Sequence, residues 1–410
     1  MTTPFCRSCG SILTKTLLDL GEMPLANAFL PQQELEPTEP TFELHARVCT
    51  TCFLVQLNHL VPPENIFSDY AYFSSYSTTW LEHARNFSQI AIEDLKLDET
   101  SFVMEIGSND GYLLRHFSAA NISVLGVDPA IAPAKVARNQ NVPTETLFFS
   151  SKTSIMLRET YGEANLMIAN NVLAHVPDIN DFLSGFRILL RETGVVTFEF
   201  PHLMNLLEGT QFDTIYHEHY SYLSLHSIEI CLSRHGLKVF DVEELSTHGG
   251  SLRVWACNAS DPRRTGPGLK IIREKESDFG IATPEAYDGF ADKVATIGQN
   301  LSSFLDEVRK KNKTVAGYGA AAKGNTLLNY CKLTKKDIGF VVDANPHKQG
   351  TILPGTHVPV LPLSALEQNK PDYIIILPWN IATEIIKTCS FVEKWGGQFV
   401  IATPHLRVFT

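Results

Sequence analysis

Between residues 101 and 258, short apolar runs alternate with stretches that repeat at helical spacing. Residues 101–106 (SFVMEI) stop at Gly107-Ser108-Asn109-Asp110-Gly111, where a helix is predicted to begin with Asn109 or Asp110 as its cap. Further strands are predicted over 124–127, 145–149, 164–171 and 194–201, with helices at 130–139, 151–160 and 178–190. This alternation builds a doubly wound parallel sheet, whose ligand lies at the carboxyl ends of the strands. A helix at 225–234 and strands at 238–244 and 249–258 complete the pattern. Past Asp261 the chain turns polar, and Gly266-Pro267 marks a boundary. A helical stretch over 284–311 then precedes a second, smaller α/β pattern with strands at 314–318, 338–342, 372–377 and 398–402. Residues 61–77 mix aromatic and polar positions without a period, and a helix is predicted over 79–95. The expected organisation is an N-terminal lobe (1–68), a Rossmann-like middle domain (69–260) and a second Rossmann-like α/β domain (261–410).

Composition agrees with a globular rather than a disordered chain: 410 residues, 44% hydrophobic and 19% charged. A net charge of −11 argues against a general nucleic-acid binder. No apolar run reaches the ~18 residues of a membrane span, and MTTPFCRSCG lacks the pattern of a signal peptide. The expectation is a cytoplasmic protein, and a monomer.

Four of the eight cysteines form two knuckles, Cys6-x2-Cys9 and Cys49-x2-Cys52. Paired C-x2-C turns bring four thiolates to one point, which suits a structural Zn²⁺ with no open position. The lobe between them, with Pro24, Pro31, Pro37 and Pro40, shows little periodicity and would depend on the metal for its fold. Nearby, Tyr70, Tyr72 and Tyr76 face either the substrate or a domain interface.

The loop E-I-G-S-N-D-G after the first strand carries acids beside its glycines, which disfavours pyrophosphate and favours a cofactor bearing an ammonium and a sulfonium. The second strand ends in an acid, Asp128, where a ribose diol would be gripped. E-x-G-x-x-x-G followed by that acid resembles the class I S-adenosylmethionine (SAM) methyltransferases. The resemblance implies that Glu105, Gly107, Asn109 and Gly111 lie around the methionine end. It implies Asp128 on the ribose, Phe148 or Phe149 beside the adenine, and Asn170 and Asn171 on the methyl-transfer face.

In the C-terminal segment the turn Gly317-Tyr318-Gly319-Ala320-Ala321-Ala322-Lys323-Gly324-Asn325 opens a helix. Glycines admit close backbone approach, a helix N-terminus favours phosphate, and Lys323 sits one turn in. Asp343 and Asn345 end the next strand, and Trp379 follows a third. These residues form the candidate diphosphate and substrate site.

The densest chemistry is in residues 199–222, EFPHLMNLLEGTQFDTIYHEHYSY. Three histidines, three glutamates and three tyrosines follow the fifth strand, above the expected methyl donor. Methylating carbon requires a removable proton, hence a neighbouring carbonyl, a base, and a donor for the enolate oxygen. His219 is the expected base, with Glu218 orienting a histidine or holding its charge. Tyr216 or Tyr222 would donate to the oxygen, and His175 could serve either role. CxxCG, EIGSNDGYLL, YHEHYSYLS, HGGSLR, GYGAAAKGN, VVDANPHKQG and PWN, in this order across the whole chain, resemble the sugar C-methyltransferases of deoxysugar biosynthesis. That resemblance implies zinc, SAM and a dTDP-linked 4-keto-hexose substrate methylated at C-3. It also implies active-site roles for Tyr216, Glu218, His219 and His175. A nucleic-acid methyltransferase and a non-catalytic SAM-fold binding protein are the alternatives.

Overall fold

The computed structural model describes residues 3–31, 39–67, 74–76 and 78–409; Tyr70 and Tyr72 lie outside the described residues. Seven strands form the central sheet: β1 (Phe102–Ile106), β2 (Ser123–Val127), β3 (Thr144–Glu145), β4 (Ala164–Asn170), β5 (Leu190–Pro201), β6 (Leu237–Leu245) and β7 (Ser251–Asn258). Their order is β6-β7-β5-β4-β1-β2-β3. β1 to β5 run parallel, and β7 lies antiparallel between β5 and β6. Such strands are buried on both faces, which explains their near-continuous apolar runs. Phe182, Leu183 and Phe186 of the helix Ile179–Leu189 cover one face, and Phe87, Leu113 and Phe117 pack into the other core. Winding reverses between β1 and β4, so a crevice opens at their carboxyl ends.

Two local expectations fail here. The third strand stops at Glu145 and does not reach 149. Phe149 turns into the core against Phe182 and Phe186, and Ser150 starts the helix Ser151–Tyr161 through a capping box with Thr153. Neither Asn109 nor Asp110 caps a helix: the helix is Leu114–Ala119, one turn later. The loop first passes through left-handed backbone at Gly107, Asn109 and Gly111. Asn109 Oδ1 and Asp110 Oδ2 instead accept the backbone N–H groups of Ser74 (2.9 Å) and Ser75 (3.2 Å).

The N-terminal lobe is better ordered than its composition suggests. Lys15–Pro24, Thr41–Val48 and Val55–Leu57 form an antiparallel sheet, and its fourth strand is Ser221–Tyr222. Register shifts after Thr16 and Asp19 break the period-two alternation, so the first strand is hidden in the sequence.

In the C-terminal region Val360–Leu361, Val341–Val342, Val315–Tyr318, Tyr373–Ile376 and Gln398–Ile401 run parallel in that order, with Arg407–Phe409 antiparallel at the edge. The expected helix over 284–311 is split. Pro284–Tyr287 is a single 3₁₀ turn, and left-handed Gly289 restarts the chain as Phe290–Lys310. An unforeseen helix, Pro267–Phe279, lies so close to β6 that a Cβ on Gly268 would collide with the Val242 carbonyl.

Apolar residues fall into cores that ignore the sequence segments. Leu44 and Val55 of the N-terminal sheet, Phe212 and Ile215 of the loop after β5, and Leu301, Val315 and Ile375 of the C-terminal region share one core. Among the described residues no helix is long and apolar enough to cross a membrane.

Candidate active site

The four knuckle thiols converge. Cys6 Sγ lies 3.5 Å from Cys52 Sγ, Cys9 Sγ 3.4 Å from Cys49 Sγ, and all four sulfurs lie within 4.8 Å of one another. Tetrahedral Zn–S bonds of ~2.3 Å place sulfurs ~3.8 Å apart, so the donors fit zinc. Each knuckle turns through left-handed backbone, at Gly10 in the first and Phe53 in the second. Gln56 Nε2 donates to Cys6 Sγ at 3.2 Å, while Gln56 Oε1 accepts the N–H of Arg7 at 2.9 Å. The Arg7 guanidinium then reaches out of the knuckle. It donates to Leu57 O (3.0 Å), Ser221 Oγ (2.8 Å) and Tyr220 O.

At the crevice, Glu105 is 1% exposed; burial, with Asp128 and Asp110 nearby, pushes its carboxyl well above the ordinary range. Asp128 accepts the N–H groups of Asn109 and Ala130, both at 2.8 Å. Among the described residues, Glu105 Oε2, Asp110 Oδ1, Asn170 Oδ1 and Asn171 Nδ2 are buried without a protein partner. Unpaired buried polar atoms are costly, and a ligand bearing ammonium, carboxylate and hydroxyl groups would pair them. Gly107 admits it: φ is +70°, and any Cβ would collide with Val172. Phe148 is exposed at this edge, whereas Phe149 belongs to the core.

The loop after β5 sits where all three parts of the chain meet. The His217 ring bonds the Phe42 carbonyl at 3.1 Å, and the Tyr220 hydroxyl donates to Val61 O at 2.6 Å. Both are therefore structural. His175 Nδ1 lies 2.9 Å from the Glu218 carbonyl, and His219 Nδ1 lies 2.9 Å from the Thr214 carbonyl. Carbonyls only accept, so each Nδ1 carries the proton and each Nε2 keeps its lone pair. The two rings stand 4.8 Å apart, with Tyr216 4.1 Å from His219 and Tyr222 at 6.1 Å. Burial pushes His175 down to about 4. Burial and His175 together push His219 well below its ordinary value. Both imidazoles are neutral near pH 7. The Glu218 carboxyl does not hold a histidine as expected. It accepts Asn27 Nδ2 at 2.7 Å, and burial raises it to about 7. Its backbone carbonyl is what orients His175.

On the C-terminal side, Lys323 Nζ donates to Asn380 Oδ1 at 2.8 Å and lies 4.7 Å from the Trp379 ring centre. Trp379 Nε1 donates to buried Asp213 at 2.8 Å, which joins this wall to the loop. Gly319 turns at φ +89° against Pro378, and Gly317 lies buried on the strand before it. Asp343 and Asn345 shape loops: Asp343 accepts the N–H groups of Ala320 and Asn345 (2.8 Å each), and Asn345 accepts that of His347 (3.0 Å).

Family models match nearly all of this architecture in succession. Residues 6–67 match the family described as “Putative zinc binding domain”, 80–242 a methyltransferase domain, and 246–404 a C-methyltransferase C-terminal domain. The C-methyltransferase NovU of Streptomyces niveus is 35% identical over 405 residues, which cover 99% of this chain and 96% of NovU. The chain belongs to the C-methyltransferase family. It is a SAM-dependent enzyme with a zinc-binding N-terminal region. Solved structures with some likeness include the magnesium protoporphyrin IX methyltransferase ChlM of Synechocystis with bound SAH. That likeness is 16% identity and a TM-score of 0.36 over 43% of this chain and 83% of that one. CcbJ of Streptomyces caelestis gives 12% and 0.34 over 43% and 90%. Scores of this size add nothing to the sheet order seen directly.

The C-methyltransferase also holds polar groups that sequence reasoning did not single out. Glu199, fully buried at the end of β5, bonds His83 Nε2 at 2.9 Å and Arg253 at 3.1 Å. Lys348 Nζ donates to Ala320 O at 2.7 Å, beside the GYGAAAKGN turn. A lone histidine on an amphipathic helix, such as His83, carries no local signal. Lys348 sits inside VVDANPHKQG, where a lysine two residues past a proline turn was legible but unassigned.

Proposed function

We propose that this C-methyltransferase methylates C-3 of a dTDP-linked 4-keto-deoxyhexose through an enolate, with His219 Nε2 taking the proton. The geometry of His219 carries this reading: Nδ1 is tied to a carbonyl, so the lone pair on Nε2 is fixed in tautomer and direction. Glu105, Asp128, Asn170 and Asn171 would hold SAM, with Phe148 beside the adenine. When bound, SAM supplies an electrophilic methyl on a sulfonium. His175, held by the Glu218 carbonyl, narrows the space above the reacting carbon. Burial keeps the Tyr222 hydroxyl protonated, so it can donate to the ketone oxygen. Lys323, with Lys348 beside the same turn, supplies positive charge for the diphosphate. Asp343, Asn345 and Trp379 hold that wall in shape, and Trp379 also offers its ring to the nucleotide. The cytoplasm, where such nucleotide sugars are made, is the proposed compartment, and a monomer the proposed state.

The regions follow the folding units. We place the first boundary near 68. The second belongs near Gly280, because the helix Pro267–Phe279 packs on β6.

The test is turnover with SAM and a dTDP-4-keto-6-deoxyhexose, read by mass and by NMR of the product. A ketone at C-4 acidifies C-3 and C-5 alike. A methyl at C-3 supports the full reading, a methyl at C-5 overturns the position, and no carbon methylation overturns the substrate class.

A further inference from the structure

The turn between β6 and β7 reads Thr247-His248-Gly249-Gly250, and three sides of the molecule clamp it. Gln211 Nε2 donates to Gly249 O at 2.9 Å, and the N–H of His202 donates to Gly250 O at 3.0 Å. Thr247 Oγ1 reaches Glu199 Oε1 at 3.4 Å. The Trp379 ring presses so closely on Gly249 that a Cβ there would collide with it. Within this clamp His248 holds φ +55°, ψ +18°, a left-handed backbone that is uncommon for a residue with a side chain. Its ring meets Trp80 edge-on, with centroids 5.5 Å apart. Among the described residues, neither of its ring nitrogens is hydrogen-bonded.

Five charged or titratable groups lie near enough to act on the charge of this ring. Lys323 comes from the C-terminal wall, Glu199 and His83 from the cofactor side, and His175 and His219 from the proton-transfer cluster. The turn thus lies between the cofactor side, through Thr247 and Glu199, and the C-terminal wall, through Gly249 and Trp379. The His248 ring is exposed between these elements, and desolvation by the surrounding protein together with Lys323 pushes it down to about 4, so it is neutral near pH 7. A neutral imidazole offers one N–H as a donor, and a base as weak as His219 requires the developing enolate to be held by one.

We propose that His248 is a further catalytic residue, donating its ring N–H to the ketone oxygen as His219 removes the neighbouring carbon-bound proton. The electron pair released from the C–H bond then rests on an oxygen held by the His248 N–H as well as by the Tyr222 hydroxyl. This inference rests on the enolate reading of the site.

The test compares wild type with His248→Asn, His248→Gly and His248→Gln. Asn and Gly both tolerate the left-handed backbone, so neither unfolds the turn. The readouts are kcat and KM with the 4-keto sugar, SAM affinity by calorimetry, and hydrogen exchange of the sugar in D₂O with the demethylated cofactor. His248→Asn and His248→Gly should lower kcat and exchange together by ~10²–10³-fold, the usual cost of one such donor. SAM affinity should stay within about twofold, since the turn is kept. His248→Gln, or imidazole added to His248→Gly, should restore about tenfold of the loss. Exchange at the wild-type rate in both Asn and Gly variants overturns the proposal. So does a loss that tracks weakened SAM binding, because that marks a structural role. If wild-type enzyme exchanges no carbon-bound hydrogen while still methylating, the enolate reading itself fails and takes the proposal with it.

Discussion

Two imidazoles 4.8 Å apart take up at most one proton beyond the one that each Nδ1 carries. His219→Ala should therefore lower kcat by ~10²–10⁴-fold while SAM and sugar still bind, because a general base is worth about that much. If His175→Ala is dead and His219→Ala is active, the base is His175. Their titration has a sign. A histidine pushed down to about 4 leaves the unfolded chain binding more protons between there and 6.5, so stability falls as pH drops through that window. Glu218 acts the other way. Its folded value of about 7 lies above its ordinary 4.5, so the folded state keeps a proton the unfolded state has lost, and stability falls as pH rises from 4.5 to 7. Glu218→Gln removes that cost. It should be more stable than wild type at pH 8, by up to about 3 kcal/mol, and so melt at a higher temperature, with the gap closing toward pH 4.5. Thermal melts at both pH values check this; an equal gap at both would show that the carboxyl is not held protonated. Crowding of titratable residues after a strand pointed to His219 and Tyr216, whereas His175 stood out only by its place after the fourth strand. The sequence could not show that the Glu218 carbonyl, not its carboxyl, orients an imidazole.

Among elements, the best-read were those whose partners lie nearby in sequence. β1, β2 and β4 appeared because a buried parallel strand is a plain apolar run. The N-terminal sheet stayed hidden, since bulges scramble its alternation and its fourth strand is supplied from Ser221–Tyr222. That pairing has a measurable consequence through Arg7, whose fork spans both strands. Lysine carries the charge without the fork. Arg7→Lys should keep zinc and SAM affinity yet lose about tenfold or more in kcat, since misplacing reacting groups by ~1 Å can cost ~10²-fold. Metal content, calorimetry and kinetics decide it; unchanged kcat would show that the strand pairing alone holds the loop. At the crevice, Asp128→Asn would set an amide N–H against the N–H of Asn109 or Ala130. SAM affinity should fall about tenfold or more, as expected for loss of ~1.4 kcal/mol or more, with sugar binding unchanged. Equal SAM affinity would remove Asp128 from the cofactor site.

For the molecule as a whole, the sequence showed three segments, whereas packing shows one core threading the first and last of them through the loop after β5. Contacts so distant leave no local period, so no sequence pattern announced them. Lys323→Ala should accordingly raise the KM of the sugar several-fold more than that of SAM; a rise for SAM alone would mean that the two ligands occupy opposite ends from those proposed. The shared core also sets a timetable. During synthesis the strands of the cofactor sheet are complete by Asn258, but Phe212 and Ile215 wait for packing partners as late as Val400. Roughly 140 residues separate Asn258 from Ile401, and at ~5–20 residues per second the ribosome needs about 7–30 s to make them. For that interval the nascent chain has a finished sheet for the methyl donor and no assembled means of using it.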